Sequence, residues 1–178
     1  MYREYTLNDF DEVLRLRCLL YPHYSKQELS KHLTAFLHQP HVNPFQNYDL
    51  FAIFVYQRDS GELGGFIAIG LVNANEYKDR LVHFVGTDYY EQIRQTLSKG
   101  HPIPAVESWY VDEDLRGNGI GTQLMLQAEQ WVKDNGYSFI LSDTDSFRDI
   151  SKKAHESFGY EIYHIDNEGT YYFYKRIV

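Results

Sequence analysis

The chain has 178 residues, 43% of them hydrophobic and 24% charged, which suits one globular domain whose core needs no covalent staples. A single cysteine, Cys18, excludes a disulfide framework and a cysteine-based zinc cluster, and 17 basic against 25 acidic residues give a net charge of −8. That balance argues against general nucleic-acid binding and for attraction of cations. The N-terminus lacks an apolar signal core, and no apolar run approaches the ~20 residues that span a bilayer, so the expectation is a cytoplasmic protein with no membrane contact.

Residues 2–6 alternate and predict a short first strand. Asn8 or Asp9 can cap a helix with apolar positions at Phe10, Val13, Leu14, Leu16 and Leu20, which Pro22 helps to end. Ser25-Lys26-Gln27-Glu28 is a capping-box pattern opening a second helix to about His38. Pro40 and Pro44 mark a loop. Tyr48 to Gln57 and Leu63 to Val72 are apolar and β-rich around the turn Asp59-Ser60-Gly61-Glu62, which predicts a hairpin. Residues 73–103 read least clearly, with a short helix expected near 89–98. A strand follows from Ala105 to Val111. A long helix runs from about Gly119 to Asn135, with Ile120, Leu124, Ala128, Trp131 and Val132 as its buried stripe, and Gly136 stops it. Tyr137 to Leu141 reads as a strand, Ile150 to Phe158 as a helix, and Glu161 to Ile165 with Thr170 to Ile177 as a final antiparallel pair. No linker or internal repeat interrupts residues 1–178, so one domain is expected. The order is β-α-α-β-β-β-α-β-α-β-β: an α/β fold of mixed α+β type, with a mixed, mostly antiparallel sheet and helices on both faces.

The segment richest in chemistry is Glu107-Ser108-Trp109-Tyr110-Val111-Asp112-Glu113-Asp114-Leu115-Arg116-Gly117-Asn118-Gly119-Ile120-Gly121-Thr122. A strand enters a glycine-rich turn that opens a long helix. Such a turn aims several backbone N–H groups at one point, and the helix N-terminus adds partial positive charge, which makes a site for phosphate or pyrophosphate. The spacing is not a dinucleotide fingerprint, because Thr122 stands where the last glycine belongs. It is not a Walker loop either, because no lysine is present.

Arg116-x-x-Gly119-x-Gly121, with the strand before it and the amphipathic helix after it, resembles the R/Q-x-x-G-x-G/A signature of the GCN5-related N-acetyltransferase (GNAT) superfamily. Further segments resemble its aminoglycoside 6′-N-acetyltransferase branch: Glu107-x-x-Tyr110-Val111, Ser142-Asp143-Thr144, His155-x-x-Phe158-Gly159-Tyr160 and the ending Tyr172-Phe173-Tyr174-Lys175-Arg176. Near the N-terminus, Leu16-Arg17-x-x-Leu20-Tyr21-Pro22 is similar to a segment where that branch has Leu-Trp-Pro. The resemblance covers nearly the whole chain. It departs at residues 75–103, which look about a dozen residues longer than the branch's loop.

His23, His32, His38 and His41 lack tight ligand spacing on one element, so no metal is expected. The resemblance implies an N-acetyltransferase that uses acetyl-CoA as cosubstrate and acetylates a primary amine on a small cationic acceptor, an aminoglycoside being the first expectation and antibiotic resistance the associated role. Arg116, Gly117, Asn118, Gly119, Ile120, Gly121 and Thr122 would hold the coenzyme A pyrophosphate, and Tyr110 and Val111 its pantetheine arm, through main-chain atoms. Glu107, two residues before Trp109 on one strand, is expected on the same face as Trp109, as the group that binds the acceptor ammonium and takes its proton. Asp143, at the C-terminal end of the next strand, would meet a second ammonium or cap the following helix. His155 stands where many superfamily members have a tyrosine that protonates the leaving thiolate, and the competing reading is a surface histidine on a helix. Tyr21 and Tyr77 are the other expected substrate contacts. The resemblance allows a homodimer through the aromatic C-terminal strands. Two other readings stay open: the same chemistry on a peptide, protein or polyamine amine, or a domain that binds acyl-CoA without turnover.

Overall fold

The computed structural model of the chain describes residues 1–38, 48–72, 103–145 and 148–177. The expected helix near 89–98 and Tyr77 lie outside the described residues. The elements are β1 (Tyr2–Glu4), α1 (Phe10–Leu20), α2 (Lys26–His38), β2 (Tyr48–Gln57), β3 (Leu63–Val72), β4 (Ile103–Val111), α3 (Ile120–Asp134), β5 (Phe139–Thr144), α4 (Asp149–Ser157), β6 (Glu161–Ile165) and β7 (Tyr171–Arg176). Their order is the expected one. Several boundaries shift by one to three residues, and β5 runs on past Leu141 to Thr144, so that Asp143 lies within the strand. β1 is shorter, because Tyr5 and Thr6 turn toward α1. β4 begins at Ile103. β5 starts at Phe139, because the N–H of Tyr137 is drawn back to the carbonyl of Val132 at 3.1 Å to close α3.

The strands form one seven-stranded sheet in the order β1-β2-β3-β4-β5-β7-β6. Every pairing is antiparallel except β4 with β5, which is parallel. The period-2 alternation of β3 divides the core. Phe66 and Ala68 face a cluster with Val13, Leu14 and Leu16 of α1 and Leu29 and Leu33 of α2. Ile67 and Ile69 face the opposite cluster, with Ile120, Leu124, Met125, Ala128 and Val132 of α3. The sheet thus lies between α1 and α2 on one face and α3 on the other, and α1 and α3 bury most of the stripe their periodicity predicted, with Phe10, Leu20 and Trp131 half-buried.

The entry to α1 differs in detail from expectation. Asp9 occupies the N-cap position but makes no cap hydrogen bond with its side chain. Its carboxylate turns back instead, accepting bonds from the Thr6 N–H at 2.7 Å and from both Arg3 terminal nitrogens at 2.7 and 2.8 Å. This clamps β1 to the start of α1. Ser25 and Glu28 form the expected capping box before α2: Glu28 accepts from the Ser25 N–H at 2.8 Å, and the Glu28 N–H donates to Ser25 Oγ at 3.2 Å.

The Arg3 guanidinium and the Thr6 donors hold the Asp9 carboxyl at about 2, against the burial that opposes them. A carboxylate whose pKa is lowered on folding stabilises above its unfolded value, and the stabilisation is lost as pH falls toward the folded value. Asp9→Ala should therefore lower stability near neutral pH by about 1–2 kcal/mol, less than the full shift implies because the Arg3 side chain is 26% exposed. The difference between variant and wild type should vanish in urea titrations as pH drops from 4 toward 2.

Candidate functional site

β4 and β5 pair through only one residue couple, Ala105 with Leu141. Beyond it the strands part, and a small, partly open cleft forms between them. Its walls are the end of α1 with Tyr21, β4 from Val106 to Trp109, β5 from Ser142 to Thr144, and Arg148, Ser151 and His155 around α4. Four of the expected site residues, Tyr21, Glu107, Asp143 and His155, thus line one cleft.

Glu107 does not share a face with Trp109. The β3–β4 ladder runs Ile67↔Trp109 and Ala68↔Ser108 but then Ile69↔Val106, so Glu107 is the extra residue of a β-bulge. The bulge breaks the alternation on which the same-face expectation rested. Val106 and Trp109, three residues apart, both pack toward α3, while Glu107 turns to α1. There its two carboxylate oxygens accept from both terminal nitrogens of Arg17, each at 3.0 Å. The two side chains are only 3% and 6% exposed. The Ser108 hydroxyl donates to the same carboxylate, and the Tyr21 hydroxyl donates to the Glu107 carbonyl at 3.1 Å. Arg17 also reaches His32 Nδ1 at 3.1 Å.

Burial alone raises the pKa of Glu107, but Arg17, Ser108 and His32 outweigh it and lower it below the usual carboxylate range. A carboxylate so stabilised is a poor proton acceptor. The sequence reading passed over Arg17 as a functional residue, although a signal was present: it falls four residues after Val13 and three after Leu14, within the apolar stripe of α1, where a charge needs a partner.

His155 is buried, not a surface residue of its helix. Its ring stacks on Phe173 at 4.6 Å and meets the edges of Trp109 and Tyr160. Nε2 lies 2.7 Å from Ser142 Oγ, and Nδ1 lies 2.8 Å from the Ser151 carbonyl. Burial lowers its pKa. Asp143 is exposed on the cleft wall. The N-cap of α4 is Arg148, with no side-chain cap bond, so Asp143 does not cap that helix. Arg148 instead donates to the carbonyl of Leu20 at 3.0 Å, tying α4 to the end of α1.

The glycine-rich turn has the form expected of an anion cradle. Gly117 and Gly119 sit at φ +80° and +76°, where L side chains are strained, and a Cβ on either would point into open space. Gly119 is the N-cap of α3, and its carbonyl accepts from Gln123, so the N–H groups of Ile120, Gly121 and Thr122 lie in the first turn, before the intrahelical ladder begins. Gly121 serves packing, since a Cβ there would meet the Trp109 indole at 3.1 Å. The Arg116 side chain staples the turn, donating to the Val111 carbonyl at 3.0 Å and lying over the Tyr110 ring. Asn118 donates to the Leu115 carbonyl at 3.2 Å. Three carboxylates precede the cradle and would repel an anion. Arg58 pairs with Asp112 at 2.9 Å and Asp114 at 2.7 Å, and Arg116 lies 3.6 Å from Glu113. Arg58, in the β2–β3 turn, carried no sequence signal for this role, because only the fold brings it to the loop.

Among the described residues no group of three or more His, Cys, Asp or Glu is placed to hold a metal ion, and no helix is long and apolar enough to cross a membrane.

Residues 17–160 match the model of the acetyltransferase (GNAT) family. An aminoglycoside N(6′)-acetyltransferase type 1 of Klebsiella aerogenes is 25% identical over 147 residues, which make up 83% of this chain and 80% of that protein. The enzyme of the same name from Acinetobacter genomosp. 13 is 33% identical over 88 residues, 49% of this chain and 56% of that protein. Two solved structures share the fold. One is AAC(6′)-Iy in complex with the bisubstrate analog CoA-S-monomethyl-acetylneamine, with TM-score 0.68, 20% identity and 93% of both chains covered. The other is AAC(6′)-Ih from Acinetobacter baumannii, with TM-score 0.65, 19% identity and 93% of both chains covered.

Two outcomes follow from the geometry. Glu107→Gln and Arg17→Met should each lower stability by about 3–5 kcal/mol, because each leaves a buried charge without its partner, and the double variant should lose less than the sum. The Glu107 contribution should be present above its unfolded pKa and fade as pH falls below about 4, since folding lowers that pKa. A denaturant double-mutant cycle at pH 7 and near pH 2.5 checks both points. Gly119→Asp should add strain and a carboxylate at the cradle and weaken coenzyme A at least tenfold, about 1.4 kcal/mol by calorimetry. Unchanged affinity in a folded variant would place the donor elsewhere.

Proposed function

The chain belongs to the acetyltransferase (GNAT) family and is an acetyl-CoA-dependent N-acetyltransferase, and from that premise we propose that its acceptor is a primary amine of a small polycation of the aminoglycoside type. The observation that carries this reading is the cleft between β4 and β5, which joins Asp143 and Tyr21 to the strand that leads into the glycine-rich turn. Relatives named aminoglycoside N(6′)-acetyltransferase support it, as does the net charge of −8. In this reading, Arg116 orders the turn, and residues 117–122 hold the pyrophosphate of acetyl-CoA, which supplies the activated acyl group. The edge of β4 beyond Ala105, parted from β5, offers main-chain groups at Tyr110 and Val111 to the pantetheine arm. Asp143 meets an acceptor ammonium. Glu107, held by Arg17, shapes the cleft floor and contributes charge at a fixed position rather than taking the proton. The enzyme would work in the cytoplasm, and modification of an aminoglycoside there would raise resistance to it. The aromatic strands β6 and β7 would be the surface of a homodimer.

A second reading, an acceptor with a single amine such as a peptide or protein, is favoured by Arg148, which lines the same cleft and would repel a second ammonium. Salt distinguishes the two. The long-range field is screened over about 10 Å at 0.1 M ionic strength, whereas a close contact is screened less. Raising salt should raise KM for a kanamycin-type acceptor more than for a monoamine. Asp143→Asn should lower kcat/KM for the aminoglycoside alone, by roughly 1–2 kcal/mol. Equal salt responses with no effect of Asp143→Asn would favour the single-amine acceptor.

A further inference from the structure

Ser142 and His155 form a buried pair that the chemistry above leaves unused. Ser142 is 4% exposed and His155 2% exposed, yet both line the cleft. The Ser151 carbonyl can only accept, so the proton of the neutral imidazole sits on Nδ1, bonded to that carbonyl at 2.8 Å. Nε2 is then the acceptor, and the Ser142 hydroxyl, 2.7 Å away, donates to it. Hydroxyl, imidazole and an orienting carbonyl in series are the arrangement by which a side chain passes protons to a reacting centre.

We propose that Ser142 is a catalytic residue that touches the reacting amine and thioester, and that it relays the transferred proton to and from His155, which stores it inside the protein.

The step balances without a further reactant. As the amine nitrogen bonds to the thioester carbon, it must lose one proton. Ser142 Oγ takes that proton while giving its own to His155 Nε2, and the resulting imidazolium keeps its Nδ1–H on Ser151. The carbon–sulfur bond breaks, and sulfur departs with the electron pair. Ser142 then gives a proton to sulfur and recovers one from Nε2. One proton has moved from nitrogen to sulfur, and the protein ends as it began.

The surroundings suit a temporary store. Trp109 of β4, Phe173 of β7 and Tyr160 after α4 face the ring. None carries charge, and burial holds the Tyr160 hydroxyl protonated. The charged groups of the same cleft are Asp143, Arg148 and Glu107, the last bound to Arg17. Burial weakens His155 as a resting base, so it is neutral and ready to accept near pH 7. Glu107, by contrast, is held ionised and bonded to Arg17.

The inference rests on the acetyltransferase reading but not on the identity of the amine. The test uses the full chain with kanamycin and with a simple alkylamine, so failure on kanamycin alone overturns the acceptor reading and leaves the relay measurable on the alkylamine. Ser142→Ala should lower kcat roughly 10²-fold with KM for acetyl-CoA changed less than about twofold, and Ser142→Thr should recover most of the rate. The acidic limb of the wild-type kcat profile should be absent in Ser142→Ala. Nitrogen-15 NMR of the imidazole provides a readout apart from turnover: His155 should be protonated at Nδ1 in the wild type, and its Nε2 signal should shift in Ser142→Ala. A folded Ser142→Ala enzyme that keeps more than half of kcat and the same pH profile would overturn the relay. So would a proton found on Nε2 at neutral pH, or an acetyl group trapped on Ser142.

Discussion

The ion pair of Arg17 with Glu107 connects the parts of the site that come from opposite ends of the chain. Arg17 lies in the first helix, and Glu107 lies 90 residues later on the strand that leads to the glycine-rich turn. Neither charge is tolerable in the interior alone, so their pairing fixes α1 against β4 at one register. What it secures is placement: Tyr21, one turn after Arg17, is delivered to the Glu107 carbonyl and so to the cleft wall. The bulge makes this possible, because it turns Glu107 toward α1 while Trp109 keeps its packing on α3.

The same bulge lies where β4 leaves β5. A parallel pair joined at only one residue couple leaves a wedge-shaped gap, and the fold fills its two sides differently. The α3 side carries Trp109, His155 and Phe173, an aromatic cluster with one imidazole inside it. The α1 side carries the ion pair and Tyr21. The cleft therefore lies between an aromatic wall that holds the imidazole and a polar wall that holds the Arg17–Glu107 ion pair. The anion cradle follows the same logic. Gly117 and Gly119 leave the backbone open, while Arg58 and Arg116 compensate the carboxylates of the preceding turn.

Local signals carried much of this. The capping box at Ser25, the stripe from Ile120 to Val132 and the turn from Arg116 to Gly121 each depend on residues within one or two turns of each other, and each appears where the spacing placed it. The errors have physical causes. Glu107 was assigned the face of Trp109 because strict alternation is the only rule available to an isolated strand, and a bulge becomes visible only when the partner's register is known. For His155 the surface reading competed with the catalytic one because its helix is short and polar, with Lys152, Lys153 and Glu156 around it. Its burial comes from β7 and β4, which are distant in sequence. Ser142 could be seen as part of a resembling segment, but its hydrogen bond with His155 is made only in the folded chain.

By itself the sequence determined the order of elements, the helices on both faces of the sheet and the place of the glycine-rich turn, because periodicity, caps and glycines act over a few residues. The tertiary structure decided what the polar side chains do. Arg17 became the partner of Glu107, Arg58 the counter-charge of the turn, and Ser142 the neighbour of His155, because burial and register bring together groups 13, 54 and 90 residues apart whose charges and protons must then be shared.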